Sequence, residues 1–378
     1  MRDEISYVTY AGNPEADREI EGRNVLFIDN ETAQQVLSME DCMDVLGSAY
    51  EEFGLGRATA SRASHSVPSS DGQGWFSWDP MVSAITNIKA VAIRIKSDVQ
   101  PFTEGRVEKY SVAPGKYCGL ILLFSTEDGA PLAIMNDGHI QHMRVGAVGG
   151  LSAKYLARED ATTLGIYGTG GMATAHAWAI AKVRPIKTIK VYSPNSKHRK
   201  DFSIQMSREM GIKVLDVEDP REVMEGADIV AACTNSLIPV ALGDWLEPGM
   251  HILSVIPNEL DDKLLSRCDR YVYSRTPTTE YYVADPERRP VGGSYESADS
   301  AWLLREEKLL SPEKMAFLSD VILGNAVARA NDKEITCFIS QGIPIQFTAT
   351  AMKVYQLARE QNLGKKLPLA WFLQDIST

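Results

Sequence analysis

ATTLGIYGTGGMATAHAWAIAKVRPIKTIKVYSPNSKHR, residues 161–199, is the stretch on which the architecture turns. A β-rich run at 162–167 meets Gly168-Thr169-Gly170-Gly171-Met172-Ala173. A long alanine-rich apolar stretch and a second strand-like run at 188–192 follow. Strand, glycine turn, helix and strand is the context in which G-x-G-x-x-(G/A) marks a dinucleotide site. Gly168 permits the tight turn, Gly170 lets the backbone approach a pyrophosphate, and Ala173 lets helix and strand pack closely. Thr169, Gly171 and Met172 complete the turn, so all six residues are expected at the cofactor. The free N–H groups and positive dipole end of the helix would face its phosphates. The chain is expected to handle a nicotinamide or flavin nucleotide.

The end of the second strand bears on which nucleotide. NAD sites carry a carboxylate about 20 residues beyond the glycines, on the adenosine ribose hydroxyls. Here the strand runs into Ser193-Pro194-Asn195-Ser196 and the basic Lys197, His198, Arg199 and Lys200, with no acid before Asp201. Hydroxyl and amide donors backed by cations suit a ribose 2′-phosphate. NADP is the expected cofactor, with NAD possible, held by Ser193, Asn195, Ser196 and Arg199.

The 378 residues are enough for two ordinary domains. A net charge of −11 argues against nucleic acid or an anionic membrane surface as partner. Five scattered cysteines without a C-x-x-C pair read as reduced thiols, neither a disulfide framework nor a zinc site. The charged start MRDEISYVTY lacks a secretory apolar region, and no apolar run approaches the roughly 18 residues of a membrane span. A soluble, cytoplasmic protein is expected.

Beyond the glycine turn, strand and helix signals alternate. Helices are expected at 196–210 and 220–225, and strands at 213–217, 228–234, 251–256 and 270–274. That alternation predicts an α/β fold with a Rossmann-type, doubly wound parallel sheet. Ligands of such sheets sit beyond the carboxyl ends of the strands, which here carry Gly168, Ser193, Thr234-Asn235-Ser236 and Pro257-Asn258-Glu259. The first half is mixed α/β. A helix at 39–53 starts from Ser38 as N-cap, strands are expected at 88–95, 119–125 and 131–135, and a helix at 138–158 leads into the nucleotide unit. A last helix is expected at 345–362. Residues 276–299, rich in Pro, Gly, Tyr and charge, read as a long loop or lid.

The segment GAPLAIMNDGHIQHMRVGAVGGLSAKYLAR at 129–158, joined directly to the GxGxxA turn, resembles the ornithine cyclodeaminase/μ-crystallin family. Further similarity lies in ADIVAACTNS, EPGMHI, NELD and QGIPIQFTATAMKVYQLAREQNLG, in order and spacing. The resemblance implies a mixed α/β substrate-binding and dimerisation domain over 1–158 with a C-terminal return at 341–378, and a Rossmann domain over 159–340. It implies a homodimer and a small carboxylate substrate. It also implies hydride transfer between a nicotinamide ring and the carbon bearing an amino or imino group. The family's "RT-A" arginine falls on Arg144 and its "P-x-R" arginine on Arg62. Its "G-x-K" lysine falls where this chain has Arg94, with Lys96 two residues on and on the same face. These four cations are the expected carboxylate binders. Thr234, Asn235 and Ser236 are expected near the nicotinamide.

Two departures from the family pattern narrow the chemistry. The acid/base aspartate of the loop after the fifth strand is missing, because Ile256-Pro257-Asn258 leads straight to Glu259, which matches a later glutamate of that motif. The aspartate of the C-terminal "G-x-A-x-x-D" element has become Phe347. Losing both acids disfavours a diamino acid, whose second ammonium would be left unpaired. His142 is a candidate proton relay. No metal site is indicated. The expected activity is an imine reductase or amino-acid dehydrogenase. The alternatives are a cyclodeaminase with recycled NAD and a non-catalytic ligand-binding protein.

Overall fold

The computed structural model describes residues 14–274, 278–282 and 305–374. The first half supplies helices α1 (Pro14–Ile20), α2 (Asn30–Val36), α3 (Met39–Gly54) and α4 (Gly138–Leu156). Its strands are β1 (Asn24–Ile28), β2 (Ser61–Pro68), β3 (Gly74–Ile85), β4 (Ala90–Pro101), β5 (Cys118–Ser125) and β6 (Pro131–Asn136). The second half continues with β7 (Thr163–Tyr167), α5 (Gly171–Val183), β8 (Thr188–Tyr192), α6 (Ser196–Met210), β9 (Lys213–Asp216), β10 (Ile229–Ala232) and β11 (His251–Ser254). Then follow α7 (Asp262–Arg267), β12 (Arg270–Ser274), β13 (Thr278–Tyr282), β14 (Met315–Phe317), α8 (Leu318–Ile322), β15 (Thr336–Ser340), α9 (Pro344–Glu360) and β16 (Lys365–Pro368).

These strands form two eight-stranded sheets. The second, ordered β14-β12-β15-β11-β10-β7-β8-β9, is parallel at every pairing. Its strand order reverses between β7 and β10, so their carboxyl ends open the crevice in which ligands of such sheets bind. The doubly wound sheet is therefore present, with one rearrangement. The run TCFIS at 336–340, for which no strand was expected, inserts as β15 between β11 and β12. All five residues of β15 are buried, which gives an apolar run without the alternation that would advertise a strand.

The first sheet, ordered β13-β2-β3-β4-β5-β6-β1-β16, is mixed. Only the β13–β2 and β1–β6 pairs are parallel. Two long strands, β2 and β3, were not foreseen, because SRASHSVP and GWFSWDPMVSAI carry serines and an aspartate on their inward face. The region read as a loop or lid at 276–299 is corrected in part. Residues 278–282 are a strand that crosses to pair with β2, and the rest of that region lies outside the described residues.

Period-two alternation buries Ala90, Ala92, Arg94, Lys96, Asp98 and Gln100 of β4 on one face. That face starts apolar under α9 and turns charged halfway along. Helix α3 begins at Ser38, whose hydroxyl accepts the Asp41 N–H at 3.0 Å as expected of an N-cap. Helix α4 carries Gly146, Gly149 and Gly150 against Ala175, His176 and Ala179 of α5, so the two backbones nearly touch. One continuous core then runs from Leu46 and Tyr50 of α3 through α4 and α5 to Ile166 of β7.

Candidate active site

A cleft of about 960 Å³ opens at the carboxyl ends of β7, β8 and β10. Gly168, Thr169, Gly170, Gly171 and Met172 line one wall, Tyr192, Ser193 and Pro194 a second, and Thr234, Asn235 and Ser236 a third. Gly168 has φ +106°, and an added Cβ would lie 2.5 Å from the Cys233 carbonyl oxygen, so only glycine fits this turn. Gly170 caps α5 without any side-chain hydrogen bond, which leaves the first N–H groups of the helix open to an anion. These features fit a dinucleotide diphosphate. Ala173 is fully buried beneath the turn, as its packing role requires.

The ribose end departs from expectation at three residues. Ser193 lines the cleft. Asn195, by contrast, spends its side chain as the α6 N-cap, accepting the His198 N–H at 3.1 Å, and Ser196 opens that helix outside the lining. Arg199 is buried, donates to the Ser193 carbonyl at 2.6 Å and stacks over the Tyr192 ring. It shapes the turn from below and does not line the cleft. The groups that do line it there are His198, Asp201 and Gln205, with Asp201 paired to Lys197.

The loop after β10 is held by Glu259. This fully buried carboxylate accepts from the Thr234 N–H (2.5 Å) and hydroxyl (2.8 Å), the Ser254 hydroxyl (2.8 Å), and the Val255 (3.1 Å) and Ile256 (3.3 Å) N–H groups. Burial pushes its pKa up and these donors pull it back. Glu259 thus ties the ends of β10 and β11 together, a structural use. Asn235 turns its amide to the Val107 carbonyl at 3.1 Å, so it anchors a segment of the first half while lining the cleft.

Beyond the cleft lies a cluster of buried cations. Arg144 of α4 donates to Gln346 Oε1 at 2.6 Å and Gln141 Oε1 at 2.8 Å. Its Nε has no partner among the described residues, and none of their carboxylates forms an ion pair with it. Burial first, and the neighbouring Arg94 charge second, push its pKa down to about 9. Gly342, at φ +75°, leaves the space this guanidinium needs, since a Cβ there would sit 2.3 Å from Nη1. Arg94 donates to Asp137 Oδ2 at 2.6 Å and to the Tyr117 hydroxyl at 2.9 Å. Phe347 is fully buried with the Arg144 Cζ 4.5 Å and the Arg94 Cζ 5.0 Å from its ring centroid.

Lys96 lies one step further along β4, 2.6 Å from Asp79 and 3.3 Å from Asp98. Burial pushes the Asp79 pKa up, but Lys96 and Arg62 bring it below its ordinary value. Arg62 also helps depress the pKa of Arg144, so all four expected cations share one electrostatic neighbourhood. His142 lines the cleft, and its ring faces the phosphate turn, with Cε1 2.7 Å from where a Gly171 Cβ would stand. Burial lowers its pKa, Asp137 raises it and Arg144 lowers it, for a net downward shift. The sequence pointed to every one of these cations. It missed Asp137, Gln346 and Tyr117, whose polarity in otherwise ordinary elements was the only available signal.

The chain is similar to known proteins over most of its length. A curated alanine dehydrogenase from Archaeoglobus fulgidus is 32% identical over 253 residues, 66% of this chain and 73% of that protein. A Delta(1)-pyrroline-2-carboxylate reductase from Bacillus cereus is 26% identical over 348 residues, 91% of this chain and 99% of that protein. Among solved structures, Thermococcus litoralis Delta(1)-pyrroline-2-carboxylate reductase in complex with NADH and L-proline has a TM-score of 0.74 at 27% identity. It covers 91% of this chain and 100% of that one. Residues 25–362 match the ornithine cyclodeaminase/mu-crystallin family, and the chain belongs to it.

Proposed function

We propose that the protein is an NAD(P)-dependent oxidoreductase that moves hydride at the C–N bond of an α-imino or α-amino acid. The observation that carries this reading is Arg144, a buried guanidinium with amide partners but no carboxylate partner among the described residues. A buried cation in that state is costly and is stabilised by an incoming anion. Among the described residues Arg62, Arg94 and Lys96 share their neighbourhood with Asp79, Asp98 and Asp137, whereas Arg144 is held by amide oxygens alone, which suits it to a substrate carboxylate. Phe347 occupies the position where the family's acid is expected, which removes one carboxylate that could pair a second substrate ammonium. An imino acid with an uncharged side chain fits, and a diamino acid does not.

NADP is the proposed cofactor, with NAD possible. Gly168, Thr169, Gly170, Gly171 and Met172 hold the diphosphate, and Thr234, Asn235 and Ser236 bound the nicotinamide end. Ser193 and His198 face the adenosine ribose. When bound, the reduced cofactor supplies the hydride. Arg144 fixes the substrate carboxylate, with Arg94 beside it, so that the imine carbon meets the nicotinamide face in near-attack geometry. We assign 1–158 and 341–378 to the substrate unit and 159–340 to the nucleotide unit, with β13 reaching back to the first sheet.

A second copy of the chain is proposed to cover the outer face of the first sheet, where Phe76, Trp78 and Leu120 are each 37% exposed. A cytoplasmic location is proposed from five free cysteines, four of them buried. Among the described residues no helix is long and apolar enough to cross a membrane.

The test is NADPH and NADH oxidation with cyclic imines and with 2-oxo acids plus amines. Arg144→Ala should lower kcat/KM by about 30- to 5000-fold, the equivalent of about 2–5 kcal/mol for losing one partner of a buried charge pair. Cofactor affinity should stay unchanged. Equal activity in the variant removes the carboxylate assignment. Ammonia release from ornithine with no net nucleotide oxidation would favour the cyclodeaminase reading.

A further inference from the structure

Residues 102–117 connect β4 to β5 as a strap that links the loop after β10 to the cation cluster. One end is stitched to the loop after β10. The Val107 N–H donates to the Asn235 carbonyl at 3.0 Å, the Leu237 N–H to the Gly105 carbonyl at 3.0 Å, and the Asn235 amide to the Val107 carbonyl at 3.1 Å. The return limb is fixed by paired backbone bonds between Tyr110 and Val99 of β4, at 2.8 and 3.0 Å. The last residue of the strap is Tyr117. Its hydroxyl oxygen accepts from Arg94 Nη2 at 2.9 Å, one guanidinium removed from Arg144 across the shared Phe347 ring.

We infer that Tyr117 is the proton donor to the imine nitrogen, taking the place of the missing acid. The inference rests on the C–N oxidoreductase reading above. A phenol whose oxygen accepts from a guanidinium has its own O–H free to point elsewhere, and among the described residues no group accepts it. The same guanidinium stabilises the phenolate left behind. Tyr117 is 41% exposed, so water can restore the proton after each turnover.

His142 is less suited to the task. Its ring stands against Gly171, on the diphosphate side of the cleft, and burial holds the imidazole toward its neutral form. Burial raises the Tyr117 pKa, against the pull of Arg94 and Lys96, so the phenol stays protonated through neutral pH as a donor must.

The imine carbon gains the hydride of the reduced nicotinamide, the π pair of the C=N bond forms a new N–H bond with the phenolic proton, and the phenolate takes a proton from water.

Tyr117→Phe keeps the ring and removes only the hydroxyl. Its kcat for imine reduction should fall by about 100- to 10 000-fold, the range for losing a general acid. The alkaline decline of the wild-type pH profile should vanish with it. NADPH affinity by calorimetry and the melting midpoint should match wild type, which separates chemistry from folding. A kcat within threefold of wild type overturns the inference. So does a defect confined to KM, which would make Tyr117 a binding group only. If His142→Gln removes the alkaline limb while Tyr117→Phe retains it, the proton comes from His142 and the inference also falls. A wild-type protein that binds NADPH but turns over no imine removes the oxidoreductase reading itself, and this inference with it.

Discussion

Phe347 is the residue that sets this site apart in charge. Its ring packs on two guanidiniums, which recovers part of the cost of burying them without cancelling their charge. A carboxylate at the same place would pair with Arg144 and compete with the substrate carboxylate for it. Phe347→Asp is therefore predicted to raise KM for uncharged imino acids by roughly 10- to 100-fold, since a charge-assisted hydrogen bond is worth about 1.5–3 kcal/mol. Comparing kcat/KM for a neutral and a basic imino acid checks it, and the neutral substrate should lose more. Equal losses for the two would mean that the ring serves packing alone. Arg144 and Phe347 were both legible in the sequence from their motif positions. The acids facing the other cations were not, because Asp79 reaches Lys96 only by the β3–β4 pairing and Asp137 reaches Arg94 only at the start of α4.

At the scale of elements, the glycine turn and its helix lie where the sequence put them, and α6 matches its expected bounds. Strands whose inward residues are polar, such as β2 and β3, escaped a reading based on apolar periodicity, because Ser64, Ser66, Ser77, Asp79 and Ser83 are what they bury. Arg199 misled for a related reason. A cation at a helix start looks solvated or phosphate-facing, yet its long stem lets it fold beneath the turn and bond the Ser193 carbonyl. The loop after β10 depends on one buried carboxylate with five donors. Glu259→Gln presents an amide N–H₂ to some of those N–H groups, leaving donors unsatisfied at about 1–3 kcal/mol. Weaker cofactor binding and a lower melting midpoint are expected, measured by calorimetry and thermal unfolding. Unchanged binding would show that loop 234–236 does not need this anchor.

At the scale of the whole molecule, α4 and α5 lock the two sheets around one core, and two histidines are sealed in or beside that junction. His176 has its pKa lowered by burial to about 4, and His251, lowered by burial and by Arg329 and Arg184, to about 3. Both lie below the unfolded value of 6.5, so the unfolded chain takes up protons first as the solution is acidified. Their contribution to stability is complete above about pH 6.5 and is lost progressively as pH falls toward 4 and 3. The melting midpoint should drop between about pH 7 and about pH 5, and His176→Gln should flatten that drop. A pH-independent midpoint contradicts the assignment.

The glycine-turn cleft of the parallel sheet stands beside Arg144 of α4, and the proposed function puts the nucleotide in the first and the substrate carboxylate on the second. Reduction of a cyclic imino acid with NADPH deuterated at the transferable position measures this most directly. Deuterium is expected on the carbon that bears nitrogen, in amounts matching the nucleotide oxidised, with no such product from Arg144→Ala. Saturable NADPH binding with no label transferred to any imine, or undiminished transfer in Arg144→Ala, would contradict it.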